Sequence, residues 1–266
     1  MSKVVLITGA SSGFGKAMAE RLAARGHIVY GASRSMEPGA DGRGLRMDVG
    51  DAESVRQGVQ RMVAREGRID VAICNAGMGI GGALELATQE EIAAQMRTNF
   101  MGCVNVCQQA LPHMRAQGTG RIVCLSSIGG IMGLPYQGFY SASKFAIEGF
   151  AEALAAEVGG CGIEVCLVEP GDFATGFTAA RRNSPKTAQD AFYGPSFARA
   201  LSLIEKEEKG GLRPEKVAKT VCHIVECRRP RLRYCVASPE QKLSVLLKRV
   251  VPGRLMVRIL RGYYKV

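Results

Sequence analysis

Tyr140 and Lys144 stand four residues apart in the segment Tyr140-Ser-Ala-Ser-Lys144. On a helix that spacing puts both side chains on one face. A phenol titrates near pH ~10 and is a poor base at neutral pH. A lysine ammonium alongside lowers that value and lets the phenol donate or accept a proton. Taken alone, the pair reads more readily as an ordinary helix with a surface lysine and a half-buried tyrosine. Ser126 and Ser127 end the run Arg-Ile-Val-Cys-Leu-Ser-Ser, with Ser127 thirteen residues before Tyr140. A hydroxyl at such a strand end can hydrogen-bond a carbonyl oxygen under reduction. Turns and helix caps also use serine in such places.

A second constellation opens the chain: Thr-Gly-Ala-Ser-Ser-Gly-Phe-Gly, with Gly9, Gly13 and Gly15 enclosing Ser11, Ser12 and Phe14. Glycines let a backbone turn tightly and approach a pyrophosphate, and a following helix N-terminus supplies N–H donors. The spacing Gly-x-x-x-Gly-x-Gly departs from the common Gly-x-Gly-x-x-Gly. Its place between a first strand and a first helix is what points to a dinucleotide.

The elements that must position these residues alternate. Strands are expected at Lys3–Thr8, His27–Ala32, Leu45–Val49, Ile69–Asn75, Arg121–Ser126, Ile163–Glu169 and Leu232–Ala237. Helical spacing occupies Gly15–Arg25, Asp51–Glu66, Glu90–Gln117, Phe139–Val158 and Pro214–Cys227. Strands apolar at nearly every position, separated by helices, predict a parallel sheet covered on both faces. Right-handed crossovers then give an α/β, doubly wound Rossmann-type fold. After Pro170 about 40 residues look irregular, a loop length that is usually functional or disordered. With no repeat and no linker, residues 1–266 are expected to form one domain. Within it, 171–213 reads as a substrate loop region and 240–266 as a basic amphipathic C-terminal extension.

The 266 residues are 47% hydrophobic and 22% charged, which excludes a largely disordered chain. Val4–Ile7 is too short for the apolar core of a secretory leader, and no apolar run is long enough to span a membrane, so a cytoplasmic protein is expected. Nine Cys, none spaced Cys-x-x-Cys, read as reduced buried side chains rather than a disulfide or metal framework. Only three His, far apart, argue against a histidine zinc site or a Ser-His-Asp triad. The net charge of +11 is local: residues 228–266 carry eleven Lys and Arg against one acid, Glu240. Nucleic-acid binding is not expected, because the basic residues of that tail alternate with Leu, Val, Ile and Met rather than with stacking aromatics.

Together these residues resemble the short-chain dehydrogenase/reductase family. The resemblance rests on TGASSGFG, Asn75-Ala76-Gly77, Asn99 in Asn-Phe-Met-Gly, Ser127, Tyr140-x-x-x-Lys144 and Pro170-Gly171-x-x-x-Thr175, in that order. It implies a single Rossmann-type domain, and it implies roles. Tyr140 would be the general acid/base. Lys144 would hold the nicotinamide ribose and lower the Tyr140 pKa. Ser127 would polarise the substrate, and Asn99 would organise a water linking Lys144 to solvent. Asn75, Ala76 and Gly77 would line the adenosine ribose, Asp48 with Val49 the adenine, and Pro170, Gly171 and Thr175 the nicotinamide end. No metal is needed for hydride transfer with a proton relay.

The second strand ends Tyr30-Gly-Ala-Ser33-Arg34, without the acid that binds a ribose 2′-hydroxyl in NAD-preferring members. Ser33 would not repel a 2′-phosphate and Arg34 could pair with it, so NADP is favoured over NAD. Phe173, Phe177, Phe192, Tyr193 and Phe197, with the loop from Ile128 to Pro135, would border the nicotinamide. Their apolar character suits a lipophilic secondary alcohol or ketone: a steroid, a retinoid or a long-chain lipid. The wording, including Arg233-Tyr234-Cys235-Val236, is similar to the 17β-hydroxysteroid and retinol dehydrogenase branch. The rival reading is a non-catalytic dinucleotide-binding redox sensor, against which the intact Ser127, Tyr140, Lys144 and Asn99 set speaks. A homo-oligomer is expected. In the tail, Leu243, Leu246, Leu247 and Val250 follow helical spacing beside Lys242, Lys248 and Arg249. Pro252-Gly253 breaks the pattern before Leu255, Met256, Ile259 and Leu260 continue it beside Arg254, Arg258 and Arg261. Two readings stand: packing on the domain or a partner, or peripheral contact with an anionic membrane, which is preferred.

Overall fold

The computed structural model describes residues 1–266. The chain runs β1 (Val4–Thr8), α1 (Gly13–Ala24), β2 (Ile28–Ser33), β3 (Gly44–Arg46), α2 (Ala52–Glu66), β4 (Val71–Cys74) and β5 (Ile80–Gly81). It continues α3 (Gln89–Met96), a π turn (Arg97–Met101), α4 (Gly102–Gln117), β6 (Gly120–Leu125), α5 (Gly138–Val158) and β7 (Ile163–Pro170). Then come α6 (Phe177–Ala180), β8 (Arg182–Asn183), α7 (Pro185–Gln189), α8 (Gly194–Lys209), α9 (Glu215–Glu226), β9 (Arg233–Val236), α10 (Pro239–Val250) and α11 (Gly253–Tyr264).

Seven strands pair in the order β3-β2-β1-β4-β6-β7-β9, every pair parallel. Successive side chains of a strand point to opposite faces, and here both faces are covered. Val4 and Leu6 join a core with α2, α4 and α5, while Val5 and Ile7 join another with α1 and α9. That is why β1, β4 and β6 are buried at every position. The order reverses between β1 and β4, the point where a doubly wound sheet opens a crevice at its strand carboxyl ends. β5 and β8 form a separate two-stranded ladder, Ile80 opposite Arg182.

The structure corrects two expectations and divides the tail between exposed and packed faces. The stretch after Pro170 is not irregular. Its main element, α8, buries Phe197, Ala200, Ile204 and Glu208 along one side, a helical period that the preceding Gly, Pro and aromatic residues obscure. The helix expected over Glu90–Gln117 is interrupted by the π turn around Asn99, since one extra residue per turn is accommodated there. In the tail, the break at Pro252-Gly253 falls between α10 and α11 as expected, but the leucine stripe does not pack on the domain. Val245, Met256 and Tyr264 face inward, while Leu243, Leu246, Leu247 and Val250 are exposed. No helix is long and apolar enough to cross a membrane.

Candidate active site

A cleft of about 560 Å³ opens at the carboxyl ends of β1, β2, β4, β6 and β7. Its first wall is the glycine string. Gly9 sits at φ +66°, and a Cβ there would lie 2.9 Å from the Ala76 Cα. Gly13, at φ +51°, begins α1, and Ser12 before it makes no side-chain cap bond. The first N–H groups of α1 are therefore left for a ligand. Gly15 stands behind the wall: a Cβ on it would come 2.1 Å from the Gly9 oxygen, so glycine permits this close passage of strand and helix. Ser11 and Phe14 complete this edge, Phe14 stacking edge-on against Phe173 with centroids 4.9 Å apart.

The next wall comes from β4. The Asn75 side chain donates to the main-chain oxygens of Thr8 (2.8 Å) and Gly9 (3.2 Å). The Asn75 and Ala76 N–H groups donate to the Thr8 hydroxyl. These bonds clasp the ends of β1 and β4 and hold Ala76 and Gly77 along the cleft. At the end of β2, the Ser33 hydroxyl is buried with no hydrogen-bond partner, and Arg34 beside it is exposed on the cleft rim. Asp48 and Val49 face the same space, with the Asp48 carboxylate accepting from the Gly50 N–H at 2.9 Å. An unpartnered buried hydroxyl, a free guanidinium and uncapped helix N–H groups form a donor set suited to a phosphate-bearing dinucleotide.

Ser127, Tyr140 and Lys144 converge deeper in the cleft. Gly129 lies between two of them: a Cβ there would meet Tyr140 Cε1 at 3.3 Å and Ser127 Oγ at 3.4 Å. The Ser127 hydroxyl accepts from the Gly129 N–H at 3.0 Å and donates to the Pro170 oxygen at 3.4 Å. Lys144 Nζ donates to the Leu125 oxygen at 2.7 Å and lies 5.8 Å from the Tyr140 ring centroid. Burial lowers the Lys144 ammonium to about 8. Burial also pushes the Tyr140 phenol up, and the Ser127 hydroxyl, bonded to the phenolate form, opposes this. Asn99 is buried behind this group. Its Oδ1 accepts from the Met78 N–H (2.8 Å), and its amide donates to the Met78 oxygen and the Ser143 hydroxyl, both at 3.0 Å. Ser143 in turn donates to the Tyr140 main-chain oxygen at 2.7 Å. Pro170, Gly171 and Thr175 border the same end.

Of the aromatic residues expected to border the nicotinamide, Phe173 and Phe177 reach the cleft, the Phe177 ring 5.8 Å from that of Tyr140. The others do not. Phe192 is 80% exposed, Tyr193 bonds Glu85, and Phe197 packs on Tyr136, because α7 and α8 carry them away from the strand ends. Leu134, Ile204 and Tyr264 form the outer apolar wall, so the tail contributes to the cleft.

Three carboxylates here were not expected from the sequence: Asp172, Glu207 and Glu208. Burial, then the charges of Glu207 and Glu208, push Asp172 up to about 6, with Gln241 of α10 donating to it in opposition. Glu208 pairs with buried Arg181 and accepts from Thr178 at 2.6 Å. No local period links Asp172 to α8, so only the fold brings these groups together.

A family model for short chain dehydrogenases matches residues 3–186. The chain is 52% identical over 265 residues to the 3-ketodihydrosphingosine reductase of Bacteroides thetaiotaomicron, covering 99% of this chain and 98% of that protein. It is 34% identical over 252 residues to human 17-beta-hydroxysteroid dehydrogenase type 1, covering 87% of this chain and 76% of that protein. Among solved structures, a short-chain dehydrogenase from Streptomyces avermitilis matches with a TM-score of 0.79 at 31% identity, covering 100% of this chain and 96% of that one.

Proposed function

The chain belongs to the short-chain dehydrogenase family, and on that premise we propose that it is an NADP-linked reductase of a long-chain lipophilic ketone carrying an amine, acting as one domain over residues 1–266. The observation that carries this reading is the convergence of Ser127, Tyr140 and Lys144 in a cleft whose outer end joins apolar side chains to carboxylates. Bound along the glycine string, the cofactor would supply a hydride. Its phosphates would meet the α1 N-terminus, and Ser33 and Arg34 would face a 2′-phosphate.

The protein's part is proton transfer and charge. Burial keeps the Tyr140 phenol protonated at neutral pH, so it donates its proton to the oxygen of the ketone as that oxygen becomes an alkoxide. The Ser127 hydroxyl donates a hydrogen bond to the same oxygen. The Lys144 ammonium beside the phenol stabilises the phenolate that remains. Asn99 holds the Met78 loop and, through Ser143, the Tyr140 main chain. The redox-sensor alternative has no use for this relay.

The amine is supported by Asp172, Glu207 and Glu208, since only Glu208 of the three is paired with a cation in the protein. The substrate named for the Bacteroides relative, 3-ketodihydrosphingosine, has this chemistry. A neutral steroid ketone would leave Asp172 and Glu207 without a cation, with Gln241 and Tyr263 as their hydrogen-bond donors. The test is NADPH oxidation with 3-ketodihydrosphingosine against a 17-ketosteroid. Turnover of the first and not the second is expected, and Tyr140→Phe should lose at least about a hundredfold in kcat while still binding NADPH. Preference for the steroid would refute the amine, and no turnover of any ketone would favour the sensor.

The tail supports peripheral membrane contact. Leu243, Leu246, Leu247 and Val250 form an exposed stripe on α10 beside Lys242 and Arg249. Because Gln241 bonds Asp172 and Tyr264 lines the cleft, the test is substitution rather than truncation. Leu246→Ser with Val250→Ser should release the protein from anionic vesicles at low salt without loss of NADPH binding. Equal retention of parent and variant would leave the stripe to a partner subunit.

A further inference from the structure

Four thiols meet in the core directly behind the cleft. Cys74 ends β4, and Cys124 lies opposite it on β6 in the parallel register. Cys103 and Cys107 stand one turn apart on α4, which packs over those two strands. Cys74 Sγ is 3.9 Å from Cys107 Sγ, and Cys103 Sγ is 3.6 Å from Cys124 Sγ. All four sulfurs lie within 4.8 Å of one another, and all four residues are buried. A tetrahedral centre with metal–sulfur bonds of about 2.3 Å has sulfur–sulfur edges of about 3.8 Å. Two opposite edges already have that length, and the other four need to close by about an ångström or less. Packing alone would ask for small apolar volume here. It would not require two strands and a helix to aim four sulfur atoms at one point.

A cation stands beside the four sulfurs: the Lys144 ammonium is bonded to the main-chain oxygen of Leu125, the residue after Cys124. Thiolates, not thiols, are the metal ligands.

We propose that Cys74, Cys103, Cys107 and Cys124 form a structural site for one Zn²⁺. Binding releases the four thiol protons to solvent and leaves four thiolates on a divalent cation, a net charge of −2 that faces Lys144. With four protein ligands the centre is closed to substrate. Its effect is to tie β4, α4 and β6 together where they lead to Asn75, Asn99 and Leu125, so the ion fixes the back wall of the cleft.

Protein produced in cells grown with added zinc should retain about one zinc per chain after exhaustive dialysis. Growth with cobalt should give the intense visible bands and sulfur-to-metal charge transfer of tetrahedral cobalt thiolate. Cys161→Ser with Cys227→Ser and Cys235→Ser, which removes the exposed and half-buried thiols, should keep both signals. Cys103→Ser with Cys107→Ser should lose them. Zinc below about a tenth of an equivalent in the parent protein, with no cobalt–thiolate bands, overturns the proposal. Loss of the signals with the three outer cysteines overturns it equally. If the helix pair proves essential for folding, the parent and the outer-cysteine variant still decide.

Discussion

Lys144 Nζ donates to the main-chain oxygen of Leu125 at 2.7 Å, so the ammonium is anchored to the end of β6 rather than to the phenol it serves. It sits under Tyr140 at 5.8 Å from the ring centroid, near enough to favour a phenolate through space. The charge that assists proton transfer is thus set by the strand, and burial sets how firmly that charge is held.

Burial lowers Lys144 to about 8, against about 10.4 in an unfolded chain. Ketone reduction should therefore fall as pH rises through about 8, and Lys144→Arg, where it turns over, should carry the fall to higher pH. Stability moves the other way. Between those two values the unfolded state binds more protons, so stability rises with pH. The burial penalty is fully felt below about 8, on the order of 3 kcal/mol. Lys144→Met removes it but leaves the Leu125 oxygen without its donor, about 1 kcal/mol. The variant should be inactive and more stable than the parent to urea at pH 7, and the advantage should vanish toward pH 10. Lower stability at pH 7 would show that the hydrogen bond outweighs burial of the charge.

Arg34 should set the cofactor preference. It is exposed on the cleft rim beside the unpartnered Ser33 hydroxyl. Arg34→Ala should weaken NADPH binding about tenfold or more while leaving NADH nearly unchanged, as read by fluorescence titration of each cofactor. Equal weakening of both would make Arg34 a structural residue of the rim.

The strands and the glycine string are legible in the sequence because their signals are local. β1, β4 and β6 are apolar throughout, and Gly9 and Gly13 occupy backbone that other residues avoid. Ser127, Tyr140 and Lys144 are legible as a set because one strand end and one helix face carry them. What is not legible is long-range. Asp172 meets Glu207 and Glu208 only when α8, packed with α6 and α11, brings its carboxyl end to the cleft. Tyr264 reaches the cleft only when α11 crosses α8. Cys74 and Cys124 become neighbours only through the β4–β6 register. The π turn at Asn99 lies within a helical pattern and leaves no mark in apolar spacing.

Arg233 holds three acids at the edge of the sheet: Glu148, Glu169 (2.7 Å) and Glu152 (2.6 Å). Glu148 and Glu169 are buried, and burial pushes Glu148 up despite its guanidinium partner. Arg233→Met strands two buried carboxylates and should cost about 3–5 kcal/mol. Burial, no longer opposed by the guanidinium, then holds Glu148 further above its unfolded value, so the variant should be least impaired at acid pH and lose stability as pH rises through the carboxylate range. Urea midpoints at pH 5 and pH 8 read this directly, and a pH-independent loss would point to packing instead.

Asn99 provides the last expectation, because its two amide atoms do opposite work. Oδ1 accepts from the Met78 N–H, while the nitrogen donates to the Met78 oxygen and to Ser143, which holds the Tyr140 main chain. Asn99→Ala leaves the Met78 N–H without its acceptor, while the Met78 oxygen keeps Gln95 and the Ser143 hydroxyl keeps the Tyr140 oxygen, and should cost about 1–3 kcal/mol. Asn99→Asp keeps the acceptor and the shape but turns the donor into a second acceptor facing the Met78 oxygen. An ionised carboxylate there is repelled, so its pKa rises above the ordinary value of about 3.9. Once protonated it can donate again. The unfolded chain loses its proton first, so stability of Asn99→Asp should fall as pH rises through the raised value. The parent should show no such step at this residue. Turnover of the variant should follow the same curve, kcat recovering toward acid pH relative to the parent with KM little changed, since the residue positions Tyr140 without touching substrate. A flat ratio of variant to parent kcat across pH would show that Asn99 contributes fold stability alone.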